Sequence, residues 1–316
     1  MKKIIKITLA LICTLSILTV CFTGCSDDGQ ADGGDGLHIV TTLFPAYDFA
    51  RNIAGDNAEV SLLLSPGVEA HSYEPTPKDM VTIEECDFFI YNGGESETWV
   101  DSVIDSSDGN FTALKMLDCA GALLEEDHDE SEGHDHEGDE AGYDEHIWTS
   151  PKICIDICTA IKDELCRLDS ENSDAYEQAY NEYIQKLGEL DSAIAETVNN
   201  AERKEIIFAD RFPFKYFAEE YGLAYYAAFP GCSTQTEPSA AKIAELIERV
   251  NEDDIPVVFY VEMSNQKVAD TISESTNAEK LLFHSCHNLT KDEMDAGEDY
   301  ISLMYKNLDN LSIALN

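Results

Sequence analysis

Eight histidines are spread along this 316-residue chain, and six of them stand where an imidazole could act as a ligand. Three, His128, His134 and His136, lie in the acidic tract Glu125 to Pro151, EEDHDESEGHDHEGDEAGYDEHIWTSP, which has no Lys or Arg. Imidazole mixed with carboxylate suits zinc, manganese and similar divalent ions. The same composition describes a solvated acidic linker, and a His-rich tract is a compositional signal only. The tract ends in the ordered-looking DEHIWTSP, which adds His146. His71 lies in GVEAHSYEPTPKD, a loop bounded by Pro and Gly. Asp210, Glu262 and His284 each follow a short β-branched or aromatic run. His287 and His38 read as structural or exposed residues.

These side chains need elements to hold them, and the pattern is strand alternating with helix. Leu37 to Phe44 is β-branched and apolar, a buried strand stopped by Pro45. Val60 to Leu64 is a second strand, and Asp87 to Asn92 a third. The second half repeats the pattern with strands at Glu205 to Phe208, Ala224 to Phe229, Pro256 to Val261 and Leu281 to Phe283. Such alternation predicts an α/β fold with parallel sheets in two lobes. His71, Asp210, Glu262 and His284 would then sit at carboxyl ends of strands, where open α/β sheets place ligands. Ser150-Pro151 opens a helix, and Glu237 reads as a carboxylate at a helix start, favoured by the helix dipole. From Asp174 to about Val198, Tyr176, Tyr180, Tyr183, Leu187, Leu190 and Ile194 recur at spacings of four and three. That predicts one long connecting helix between the halves.

The expected organisation is therefore a signal peptide over 1–25, a flexible linker over 26–36, and an N-terminal lobe over 37–171 with the acidic loop at 125–145. A connecting helix over 172–199 and a C-terminal lobe over 200–316 follow. Lys2, Lys3 and Lys6 precede an apolar run too short and wrongly flanked to span a membrane. Phe-Thr-Gly-Cys resembles a bacterial lipobox with Phe22 in place of the usual Leu-like residue, which makes Cys25 the expected lipidation site and the mature product a lipid-anchored, extracytoplasmic protein. The formal charge of −43 argues against nucleic acid or an anionic membrane surface as a partner and for attraction of cations. Ten cysteines at irregular spacing form no disulfide framework; the one pairing expected is Cys232 with Cys286.

The motifs GVEAHSYEPTPKD, DEHIWTSP, IIFADRFPFKYFAEEYGL, TEPSAAKI and GEDYISLMYKNLDNL, with the acidic His-rich insertion between the first two, together resemble the bacterial ABC-transporter solute-binding proteins that capture zinc or manganese. The resemblance runs from about Leu37 to Leu315. It implies two α/β lobes bridged by a stiff helix, little hinge motion, a metal in the interlobe cleft, and a permease with its ATPase as partners of a monomeric protein. It carries two family ligands onto His71 and His146. The third family ligand, His or Glu after the strand ending at Phe208, is replaced here by Ala209-Asp210-Arg211. Asp210 is the candidate there, because Arg211 stays protonated and cannot ligate. His284 stands in for the fourth ligand, often Asp in the family, with Glu262 in reserve. Three His and one carboxylate favour Zn2+ over Mn2+, and the His-rich insertion resembles that of zinc-binding members.

Two rival classes fit the sequence less well. An extracytoplasmic metallohydrolase would need an open coordination position and a nearby base, and neither HExxH nor GxSxG occurs. A surface adhesin would leave the histidines unexplained.

Overall fold

The computed structural model describes residues 36–107, 109, 111–126, 142–231 and 238–316. Cys25, His128, His134, His136, Cys232 and Glu237 lie outside the described residues, so the expectations placed on them are not addressed by it. Two four-stranded parallel sheets form the frame. The first contains β1 (Leu37–Thr41), β2 (Ala58–Leu62), β3 (Phe88–Tyr91) and β4 (Thr112–Lys115) in the order β2-β1-β3-β4. The second contains β5 (Glu205–Phe212), β6 (Ala224–Pro230), β7 (Val257–Tyr260) and β8 (Glu279–Leu282) in the equivalent order β6-β5-β7-β8.

Both sheets are buried on two faces, which is why their central strands read as unbroken apolar runs. Ile39, Phe88 and Ile90 enter the main core, whereas Val40, Phe89 and Tyr91 enter a smaller cluster with Ile83, Val100 and Val103. In the second sheet Ile206 and Phe208 face the same main core, and Ile207 and Ala209 face another small cluster with Leu246 and Val258. One core is thus shared by the inner faces of both sheets.

The helix Ser173–Asn200 has 28 residues, a length of about 42 Å. It buries Tyr176, Tyr183, Leu187, Leu190, Ile194 and Val198 against the helices Phe44–Ala54, Pro151–Leu168 and Tyr300–Leu315. A buried carboxylate fixes that packing. Asp48 accepts hydrogen bonds from the Tyr183 hydroxyl at 2.9 Å and the Tyr300 N–H at 3.2 Å, and its other oxygen pairs with Arg51. Three helices from distant parts of the chain meet on that one side chain.

Several expectations need correction. β5 runs four residues past Phe208, with a register irregularity between Phe208 and Arg211. Asp210 and Arg211 therefore belong to the strand rather than to a loop after it. The strand β4 and the helices Thr98–Ser106 and Lys291–Ala296 add to the expected elements; they are only four, nine and six residues long, which gives a sequence pattern little room to repeat. Cys286 is a buried thiol, and its expected pairing with Cys232 falls on a residue outside the described ones.

Candidate metal centre

The cleft is a cavity of about 240 Å³ whose walls include His71, His146, Asp210, Arg211, Glu262, His287 and Asn288. His71 sits in a single turn of 3-10 helix, Ala70–Ser72, where the Glu69 side chain caps its N–H at 3.4 Å. His146 ends the DEH segment just before another such turn, Ile147–Thr149. His287 lies in the loop after β8. One ligand atom from each of these three imidazoles lies within 4.8 Å of the other two. The rings meet edge to face, with centroids 5.5 Å apart for His71 and His146, 4.9 Å for His71 and His287, and 5.5 Å for His146 and His287.

Three features of the surroundings hold this cluster. Asp144 receives the Nδ1–H of His146 at 3.1 Å and its backbone N–H at 2.9 Å. That hydrogen bond selects the tautomer and leaves Nε2 as a donor atom toward the cleft. Trp148 packs against both His146 and His287, and its indole N–H donates to the Ser285 carbonyl at 2.8 Å. The loop carrying His71 is clipped to the loop carrying His287: the Asn288 amide donates to the carbonyls of Ser65 (2.8 Å) and Val68 (2.9 Å), and Gly67 N–H donates to Leu289 (2.7 Å).

The protonation states fit a cation site. Burial, then the neighbouring His146 and Arg211 charges, pushes the His71 pKa down to about 3. Burial, then His71, His146 and Arg211, holds His287 well below the ordinary imidazole value. Burial also opposes a charge on His146, but the Asp144 carboxylate outweighs it and raises the pKa. Neutral imidazole is the form that ligates a metal, and two of the three rings are already in it. Three nitrogen donors with no carboxylate among them make a borderline set suited to zinc.

The other sequence candidates are placed differently. His284 is not part of the cluster. Its backbone is clamped by Asn307, with N–H to Oδ1 and Nδ2 to C=O both at 2.7 Å, and its Nδ1 accepts from Cys286 N–H at 2.9 Å. The ring points instead toward Glu262 and Glu293, at 3.8 and 3.5 Å. Asp210 is on the cleft wall, but one oxygen accepts from Arg211 N–H at 2.9 Å and the other faces Val261 N–H at 3.4 Å. Glu262 receives both the N–H of Ser285, at 2.7 Å, and its hydroxyl. Neither carboxylate joins the three imidazoles. Sequence reasoning missed His287, read as structural or exposed, and the positioning roles of Asp144 and Asn288. The available signal was a second histidine, three residues on, in the loop already singled out for His284.

Two parallel α/β sheets around a cleft, with one long helix between them in the chain, define a two-lobed α/β fold of the solute-binding type. Residues 39–314 match the family described as zinc-uptake complex component A, periplasmic, and the chain belongs to that family. It is 37% identical over 312 residues to the high-affinity zinc uptake system protein ZnuA of Bacillus subtilis, covering 95% of this chain and 97% of that protein. It is also 37% identical over 317 residues to the zinc-binding lipoprotein AdcA of Streptococcus pneumoniae, covering 98% of this chain but only 60% of AdcA. The chain thus spans less than two thirds of the length of AdcA. The crystal structure of the Zn(II)-bound ZnuA-like domain of that AdcA is similar with a TM-score of 0.73 and 34% identity, over 89% of this chain and 99% of that one.

Proposed function

We propose that this protein is the extracytoplasmic capture component of a zinc ABC uptake system, binding one Zn2+ as cargo in the cleft and delivering it to a membrane permease driven by its ATPase. The observation that carries the reading is the convergence of His71, His146 and His287, in a chain with close zinc-binding relatives. His71, His146 and His287 are the ligands in this reading. His284 and Asp210 drop out of the set, and Glu262 shapes the wall. Binding by three imidazoles favours zinc over manganese, which prefers oxygen donors. His128, His134 and His136 supply weak sites that raise the local ion concentration. Cys25 carries the lipid that keeps the monomer at the outer face of the membrane.

Capture rather than catalysis is supported by the state of the nearby carboxylates. A zinc hydrolase needs a base beside the open coordination position. Here Asp144 is committed to His146, Asp210 to two backbone N–H groups and Glu262 to Ser285.

The test is metal analysis with competitive titration of the purified protein beside His71→Ala, His146→Ala, His287→Ala and His284→Ala. One tightly held zinc, lost in the first three variants and kept in the fourth, is the expected result. Tight manganese in preference to zinc, or no stoichiometric metal, would overturn the reading.

A further inference from the structure

Arg211 is the unexpected member of the cleft. Its side chain lines the cavity with His71 and His287. Among the described residues its ion-pair partner is Glu69, at 3.5 Å, the same carboxylate that caps the His71 turn. A cation beside a cation site is costly unless something negative lies between them.

The protein's own negative charge lies around the imidazoles rather than among them: Glu69, Asp210 and Glu262 line the same cavity. The imidazole cluster contains no carboxylate. The nearby acids are already engaged: Asp144 with His146, Asp210 with backbone N–H groups, Glu262 with Ser285, and Glu69 with His71 and Arg211. Three protein nitrogens also leave one position of a tetrahedral zinc unfilled. The cavity, about 240 Å³, exceeds what a bare ion needs, since one water takes roughly 30 Å³ of liquid volume. There is room for a ligand of several atoms.

From this geometry we infer that the cleft takes its cation together with a small carboxylate-type anion, of the bicarbonate or acetate class, one oxygen filling the fourth metal position and the other face pairing with the Arg211 guanidinium. The guanidinium's planar fork matches a carboxylate, which is why this class is preferred over a spherical halide. The charge of the chain as a whole, −43, repels anions at long range. That field is screened beyond about 8 Å at physiological salt, so the adjacent cation and arginine dominate locally. The anion displaces metal-bound water, and no covalent chemistry is involved.

This inference rests on the zinc-capture reading, and the experiment separates the two. Zinc affinity is measured by chelator competition on the purified protein in buffer purged of carbon dioxide, then with bicarbonate, acetate, chloride or sulfate added. Cobalt(II) absorption of the loaded protein is followed in the same series. Bicarbonate or acetate should tighten zinc by about tenfold or more, within the ordinary range of coupling between two ligands, and should change the cobalt spectrum. Arg211→Gln should lose that anion dependence, whatever its affinity in purged buffer. Equal zinc affinity in every buffer overturns the anion site and leaves zinc capture standing. Equal enhancement by chloride or sulfate, or enhancement that survives Arg211→Gln, also overturns it. Failure to bind zinc in any buffer removes both.

Discussion

The side-chain amide of Asn288 donates to the carbonyl of Val68 at 2.9 Å, across 220 residues of sequence. The same amide reaches Ser65 at 2.8 Å. Asn288 stands next to His287 and Val68 stands three residues before His71, so this contact sets the separation of two imidazoles of the cluster that are carried by opposite halves of the chain.

Asn288→Ala removes both hydrogen bonds and leaves two carbonyls without this partner. At about 1 kcal/mol for each bond, urea unfolding should show a loss of about 2 kcal/mol. Zinc affinity should fall with it, because the loops bearing His71 and His287 are no longer held in register. A variant that loses stability but binds zinc as before would show that other contacts position the pair.

Asp144→Asn tests the hydrogen bond that orients His146. The amide keeps the size of the carboxylate but not its charge, and it can present its NH2 to Nδ1 and so favour the wrong tautomer. A zinc affinity lower by about 10- to 100-fold is expected, read by competitive titration, with one zinc per chain retained at saturation. Wild-type affinity would remove Asp144 from the site.

Glu97 gives a prediction about pH and stability rather than binding. Burial pushes its pKa up to about 7, and one oxygen accepts from Gly93 N–H at 2.7 Å. The folded protein therefore holds this proton more tightly than the unfolded chain does. Stability contributed by the protonated carboxyl is complete below the unfolded value of about 4.5 and is lost as pH rises through about 7. Glu97→Gln, which retains an acceptor for Gly93 without the charge, should be more stable than the parent at pH 8, by an amount on the order of 3 kcal/mol. Near pH 4 the gain should vanish. Thermal melts across that range check both ends, and a pH-independent difference would refute the assignment.

Much of this protein was legible in its sequence because the signals are local. Buried parallel strands must be apolar on both faces, so Leu37–Thr41, Phe88–Tyr91 and Val257–Tyr260 stood out. The helix Ser173–Asn200 stood out because its buried stripe recurs every three or four residues. His71 and His146 were found because each lies in a short motif whose own turn presents it to the cleft.

The choice between His284 and His287 was not local. Both follow β8, and composition does not rank them. The backbone decides, turning through a left-handed conformation at Cys286 (φ 59°) between the two. Asn307, from the closing helix, holds His284 inward by two 2.7 Å hydrogen bonds, and Trp148, from the other half of the chain, braces Ser285 and packs on His287. The sequence by itself therefore determined the fold class, the long helix and the two histidines set by their own turns. Only the tertiary structure decided the third imidazole and placed Arg211 beside it, because those positions depend on contacts with residues far away in the chain.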